Sequence, residues 1–455
     1  MSESASRSEG GWSIRPAIGH HRCWFYLVGG PPGPADQGGT MSRPLSRWRD
    51  PLTALGLAAG PVVALGFTRF AYALLLPAMR GDLHWTYAQA GGMNTANAAG
   101  YVIGAGTAVL WARWIGDRAA FLGALAVSAL VLLLTGTTAD YPALSLLRFA
   151  GGVTTAVSFV LGSALAARIA AGSGHRRAAS LVALYMAGVG VGVMLSGVLV
   201  PSVLADGGDA GWRAGWLTLG VMAVLAVVPA LLALRRVPPV AVAAGSGLSR
   251  AALTGLAPGI AWYVLFGAGY VSYMTFVIAL LREQGLGTSG TATFFVVLGL
   301  ASVLATLFVW GRLIGRLPGG RAPALVSLLV LLGVLPVLLL PAGLPAALVS
   351  AAVFGSSFMA GPTAATVLAR RALPPAGWTA GIALLTVAFS VGQAIGPLVS
   401  GVLSDSGGVA VGLWLSVGLL AAAGLVALFQ RDTGPAAEPE RPAGSPDRAA
   451  AAAVR

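Results

Sequence analysis

Lysine is missing from this chain of 455 residues: all 28 of its basic residues are arginine. Its one cysteine, Cys23, excludes an intrachain disulfide and a cysteine-built metal site. The histidines, His20, His21, His84 and His175, all lie outside the apolar segments, which argues against a buried histidine proton relay. Charge of either sign is scarce, at 9% of residues, against about 25% in an ordinary soluble domain. So few charges cannot clothe a globule of this size. With 56% hydrophobic residues and a mean hydropathy of +0.82, the chain reads as an integral membrane protein. The formal net charge of +13 raises nucleic acid as a partner. The arginines, however, stand singly or in pairs between apolar segments, with no basic patch, and nucleic acid is excluded as the reading. The abundance of Ala, Gly, Pro and Arg has the look of GC-rich bacterial coding.

What the chain has in plenty is long apolar runs. A helix needs about 20 apolar residues to cross the hydrocarbon layer. Twelve segments qualify: 52–79, 88–112, 119–139, 142–168, 179–204, 214–234, 253–281, 290–311, 322–342, 344–369, 379–404 and 409–430. Backbone groups in lipid must be satisfied within the segment, so these are helices. Arginine placement sets the orientation. The chain ends and even-to-odd loops hold 17 arginines near the membrane, and the opposite loops only Arg80, Arg213 and Arg282. Both ends are therefore expected in the cytoplasm of a bacterial plasma membrane. Residues 1–50 are expected to be a disordered extension, 236–252 a cytoplasmic linker and 432–455 a disordered tail. Met41 opens "MSRPLSRWRDPL", a sensible basic start just ahead of the first span.

The chain repeats itself. "WARWIGDR" at Trp111–Arg118 returns as "WGRLIGRL" at Trp310–Leu317, 199 residues on. Gly66, Arg69 and Tyr72 answer to Gly267, Tyr270 and Tyr273 at an offset of 201. Gly188, Gly192, Ser196 and Gly197 answer to Gly392, Gly396, Ser400 and Gly401 at an offset of 204. These offsets describe two halves of six helices, 51–235 and 253–431. Six is even, so the halves run parallel.

Twelve helices in parallel halves, with a charged loop after helices 2 and 8, resemble the major facilitator superfamily. "GFTRFAYALLLPAM" followed by "AGGMNTANAAGY" resembles its YbfB/YjiJ-like branch of bacterial permeases. The resemblance covers about residues 50–431. Asp117 and Arg118 fit the acid–base pair of the superfamily's loop motif, although its first Gly is missing; Arg148 with Gly151 and Gly152 resembles the helix-4 motif. The resemblance implies an all-α membrane protein of two six-helix bundles. It implies secondary transport of a small organic solute by alternating access, with helices 1, 4, 7 and 10 lining the cavity. The Gly-rich fifth helix slightly favours export. A receptor or assembly factor on the same fold is the alternative. No cofactor is expected, and with no HExxH, nucleotide loop or nucleophile elbow in a suitable context, no enzyme.

Within that frame some polar residues stand out. Arg69 lies about ten residues from its helix end, roughly 15 Å deep at 1.5 Å per residue. A charge there cannot snorkel out, and usually faces a cavity or a partner. Arg148 is shallower, about 10 Å. Arginine suits bidentate contact with carboxylate or phosphate. No Asp or Glu lies deep in any span, which argues against a cationic cargo and for an anionic or zwitterionic one. Tyr72, Asn94, Asn97, Tyr270, Tyr273 and Gln393 complete the expected substrate-binding set; each has a packing or interhelical hydrogen-bond reading beside it. Gly116, Asp117, Arg118, Gly315 and Arg316 are the expected gating residues. The two glycines would permit tight turns, and Asp117 would cap helix 3. In the superfamily that acid also helps latch the two bundles. Protons are the candidate coupling ion. Glu283 is read either as their site or as a solvated interface residue, and a monomer is expected.

Overall fold

The computed structural model describes residues 46–171, 175–237, 250–374 and 377–432. The expected extension up to residue 45, most of the linker and the tail from 433 lie outside them. The first helix begins at Ser46, so residues 46–50 belong to it rather than to the extension.

Among these residues twelve helices follow one another: α1 (46–83), α2 (Tyr87–Ile115), α3 (Asp117–Thr135), α4 (Tyr141–Ala171), α5 (His175–Gly207) and α6 (Trp212–Leu234). The second set is α7 (Arg250–Glu283), α8 (288–316), α9 (Arg321–Leu339), α10 (344–372), α11 (Trp378–Gly407) and α12 (Val409–Ala427). Each overlaps one expected span. Eleven are long and apolar enough to cross a membrane. The other, α2, has the length at 29 residues but carries Gln89, Asn94, Thr95 and Asn97. Those polar side chains are what lower its hydropathy.

The helices form two six-helix bundles, α1–α6 and α7–α12. The bundles meet through α2 against α11 and α5 against α8, pairs that the internal repeat exchanges. Backbones approach closely both within each bundle and between the two. A Cβ on Gly188 would stand 2.6 Å from the Ala58 carbonyl oxygen, and one on Gly192 2.6 Å from that of Val62, both in α1. Their repeat mates Gly392 and Gly396 press likewise on Val264 and Ala268 of α7. Gly197 meets Phe295 of α8, and its mate Gly401 meets Tyr87 of α2. Small residues let membrane helices pack this tightly.

Lipid-facing surfaces are as apolar as buried ones. In α6, Val221, Val224, Leu225, Val228 and Leu232 are exposed at helical spacing, while Trp212, Gly215, Trp216, Leu219 and Ala223 point inward. Three of the described helices depart from regular geometry. α1 changes to a π-helix over Val62–Phe70, and α8 over Thr306–Trp310. α10 breaks between Ser357 and Ala360, because Pro362 has no N–H and its ring crowds the carbonyl of Phe358.

Candidate functional site

The π-helical stretch of α1 carries Arg69, which the structure buries to 8% exposure where the bundles meet. π-bulges inside α-helices are frequent at functional sites. The Arg69 guanidinium donates from Nη2 to Oε1 of Gln393 on α11, a bond from one bundle to the other. Rings of Phe70, Tyr101 and Phe389 surround it, each with its centroid 5.7 Å away. Phe389 opens onto an aromatic cluster in the second bundle. Tyr270 stacks on Phe389 at 5.8 Å and on Phe266 at 5.7 Å, and Phe358 lies 5.8 Å off.

Arg148 of α4 is 4% exposed. It donates to the Thr68 carbonyl at 2.5 Å and to Asn94 Oδ1 at 3.2 Å, and lies over the Tyr72 ring at 4.6 Å. Asn94 passes the connection on, donating from Nδ2 to Thr275 Oγ1 of α7 at 2.6 Å. Asn97 donates to the Arg148 carbonyl at 3.0 Å, and Tyr72 to that of Ala90 at 2.8 Å. Burying an arginine at membrane depth costs about 2.5–3.5 kcal/mol on insertion scales. The acceptors of both arginines are amides, carbonyls and the Tyr270 hydroxyl, so among the described residues no neighbouring carboxylate compensates either positive charge. A cavity of about 10 Å³ lies between α1, α2 and α7, lined by Arg69, Tyr72, Asn94, Met274 and Thr275. That is room for about one water.

Of the expected binding residues, Arg69, Tyr72, Asn94, Asn97, Arg148, Tyr270 and Gln393 come together in this network. Tyr273 turns away from it, pairing its hydroxyl with Ser350 and packing on Phe354 at 4.5 Å. Sequence reasoning missed Thr275 and Phe389. A Thr inside an apolar helix carries no sequence signal, and Phe389 was visible only as the residue one helical turn before Gln393.

The end that carries the loops after α2 and α8 is the basic end. At the opposite end the bundles are joined by hydrogen bonds. Asp405, near the end of α11, accepts from the backbone N–H groups of Tyr87 at 2.7 Å and Ala88 at 2.9 Å, where α2 begins. Glu283, exposed at the end of α7, accepts from the Tyr87 hydroxyl at 2.5 Å. Thr95 donates to the Ala394 carbonyl at 2.6 Å.

At the basic end two expectations need correction. Asp117 is not the cap of α3; that place falls to Gly116, whose φ of 82° suits a residue without a side chain. Asp117 is the first helical residue, where a carboxylate favours the positive end of the helix dipole. One of its oxygens accepts from the Arg118 N–H at 2.8 Å, and the other pairs with Arg168 of α4, a partner in its own bundle. Gly315 makes no turn either. It lies in the helical stretch Gly311–Arg316, and the positive φ falls at Gly319, 55°. Pro318 ahead of Gly319 and Gly320 is the stronger turn signal.

Known proteins resemble the chain along most of its length. The sequence family described as "Uncharacterised MFS-type transporter YbfB" matches residues 61–428. A "Chloramphenicol resistance protein" of Streptomyces lividans is 29% identical over 390 residues, 82% of this chain and 95% of that one. Among solved structures, the nucleoside transporter NupG superposes with a TM-score of 0.63 at 13% identity, covering 84% of this chain and 98% of its own. The D-xylose-proton symporter gives 0.62 at 15%, over 84% and 96%. An inward-facing, unoccupied bacterial homologue of the human lysosomal transporter Spinster gives 0.60 at 16%, over 86% and 99%. With its twelve helices in two bundles and a match across both, the chain belongs to the YbfB-type family of the major facilitator superfamily, a family of transporters that bind small molecules within the lipid bilayer.

Proposed function

We propose that this transporter moves a small anionic or zwitterionic organic solute by rocking its two bundles about the site between α1, α2, α4, α7 and α11. The observation that carries the reading is the burial of Arg69 and Arg148 with neutral partners only. A buried cation without a counter-charge is costly, and an anionic cargo would supply the missing charge. Arginine's planar fork suits a carboxylate or phosphate. Arginine bias assigns the basic end to the cytoplasm of a bacterial plasma membrane. On that assignment the hydrogen bonds from α2 to α7 and α11 close the outer end. Protons are the coupling ion proposed, with Glu283 as the candidate site, and the unit is a monomer.

A second reading is export of a neutral aromatic compound. The resistance protein of Streptomyces lividans and the aromatic cluster around Tyr270 favour it. A thermal-shift screen of the purified protein separates the two. Anionic metabolites are expected to raise the melting temperature, and to lose that effect in Arg69→Gln. Hits confined to neutral aromatics establish the second reading, and hits confined to cations overturn both.

A further inference from the structure

Gln393 does two unlike things in the structure. It is 1% exposed, and its Oε1 accepts from Arg69 across the bundle boundary. Its Nε2 is equally buried and finds no acceptor among the described residues. A buried donor left unpaired is costly, because it has given up its bond to water and gained none in return. The amide is thus used on one side and wasted on the other. Arg69 in turn meets only neutral oxygens, those of Gln393 and the Tyr270 hydroxyl, where a charged one would bind it more strongly.

One kind of ligand would satisfy both groups. A carboxylate placed between them would accept from Arg69 with one oxygen and from Gln393 Nε2 with the other. The walls say what that carboxylate is attached to. Phe70, Tyr101 and Phe389 come from α1, α2 and α11 and stand around the guanidinium at equal distance. Behind Phe389 the rings of Tyr270 and Phe266 continue the flat apolar surface. The adjoining cavity has room for about one water, so the protein's own side chains fill the space beside Arg69.

Resting on the anion reading above, we infer that Gln393 is a built-in surrogate for the substrate, which is an aromatic carboxylate. In the empty protein the Gln393 carbonyl holds the place of a carboxylate oxygen on Arg69. The arriving substrate displaces it and gains the freed Nε2 donor. The displaced bond is one that ties α1 to α11, so occupation of the site removes a tie between the bundles. Binding and alternation are thereby linked through a single amide.

Two variants test this, with benzoate as the probe and benzylamine as the cationic control. Gln393→Glu has the same shape and gives Arg69 a permanent anion of its own. It is expected to bind benzoate at least tenfold more weakly than the parent by calorimetry, and the parent is expected to ignore benzylamine. Gln393→Leu removes the tie. In a Cys23→Ser background, spin labels at Ala139→Cys and Ala342→Cys report the spacing of the bundles at the end opposite the basic one. Both the Leu substitution and benzoate are expected to lengthen that distance by double electron–electron resonance. Monodisperse elution of each variant establishes that it is folded. If Gln393→Glu binds benzoate as tightly as the parent, the surrogate is overturned and the anion reading stands. If the label distance ignores Gln393→Leu, the tie is overturned. If benzylamine binds and benzoate does not, the anion reading falls and the inference with it.

Discussion

The loop after α2 and the loop after α8 occupy matching places in the two bundles, and an arginine from a matching place secures each. Arg168 at the end of α4 pairs with the Asp117 carboxylate. Arg371, 203 residues later in α10, donates instead to two backbone carbonyls, that of Gly315 at 2.8 Å and that of Leu317. The cation has kept its position, while its acceptor has changed from a charge to a pair of dipoles. The same contrast recurs at the centre. Arg69 in α1 stands where α7 has Tyr270, and the first bundle contributes both buried arginines while the second contributes aromatic rings and an amide. Backbone packing is shared between the halves, because the glycines that seat α5 on α1 recur where α11 seats on α7. The repeat therefore preserves shape, while its copies differ in chemistry around Arg69 and Asp117.

Making the copies alike at the centre should have the largest effect. Arg69→Tyr gives α1 the residue of α7 and is expected to weaken benzoate binding roughly 10- to 150-fold, the loss of a charged hydrogen bond of about 1.5–3 kcal/mol. Calorimetry measures it, and an unchanged affinity would remove the cation from the site. Next come the shared glycines. A Cβ at Gly192 would lie 2.6 Å from a backbone oxygen, and one at Gly396 2.4 Å. Gly192→Val and Gly396→Val should each cost about 1–3 kcal/mol through overpacking, seen as comparable falls in melting temperature. Tolerance of one but not the other would break the equivalence of the halves.

The loops should give a smaller effect, and an unequal one. Asp117→Asn removes a partly buried ion pair, expected to be worth about 1 kcal/mol. Initial rates in proteoliposomes should fall several-fold with substrate affinity nearly intact, while Arg316→Ala leaves rates near the parent value. Equal rates in parent and Asp117→Asn would strip the first loop of its special role. The smallest effect belongs to a glycine outside the shared packing. Open space surrounds the Cβ position of Gly106 in α2, so Gly106→Ala should stabilise by roughly 0.5–1 kcal/mol, readable as a slight rise in melting temperature.

All twelve helices were legible in the sequence, because a bilayer demands long apolar segments and leaves them little other choice. Which face of each helix looks inward was not legible, since α6 is equally apolar towards lipid and protein. The site was legible in part for the opposite reason. Arg69, Arg148 and Gln393 stand out because polar groups are costly in lipid, whereas Thr275 and Phe389 look like ordinary spanning residues. The π-stretch that presents Arg69 leaves no mark in composition. The loop geometry was half read: Gly116 does turn the chain, but the matching turn slipped from Gly315 to Gly319, where a proline precedes it.

Flux in proteoliposomes tests the central claim most directly, namely that two buried arginines with neutral partners make the site selective for anions. The measurement compares initial rates for radiolabelled benzoate and benzylamine through the parent protein and through Arg69→Gln. The account predicts saturable benzoate flux that Arg69→Gln lowers at least tenfold, and no benzylamine flux above that of empty liposomes. Saturable benzylamine flux, or benzoate flux indifferent to Arg69, would contradict it.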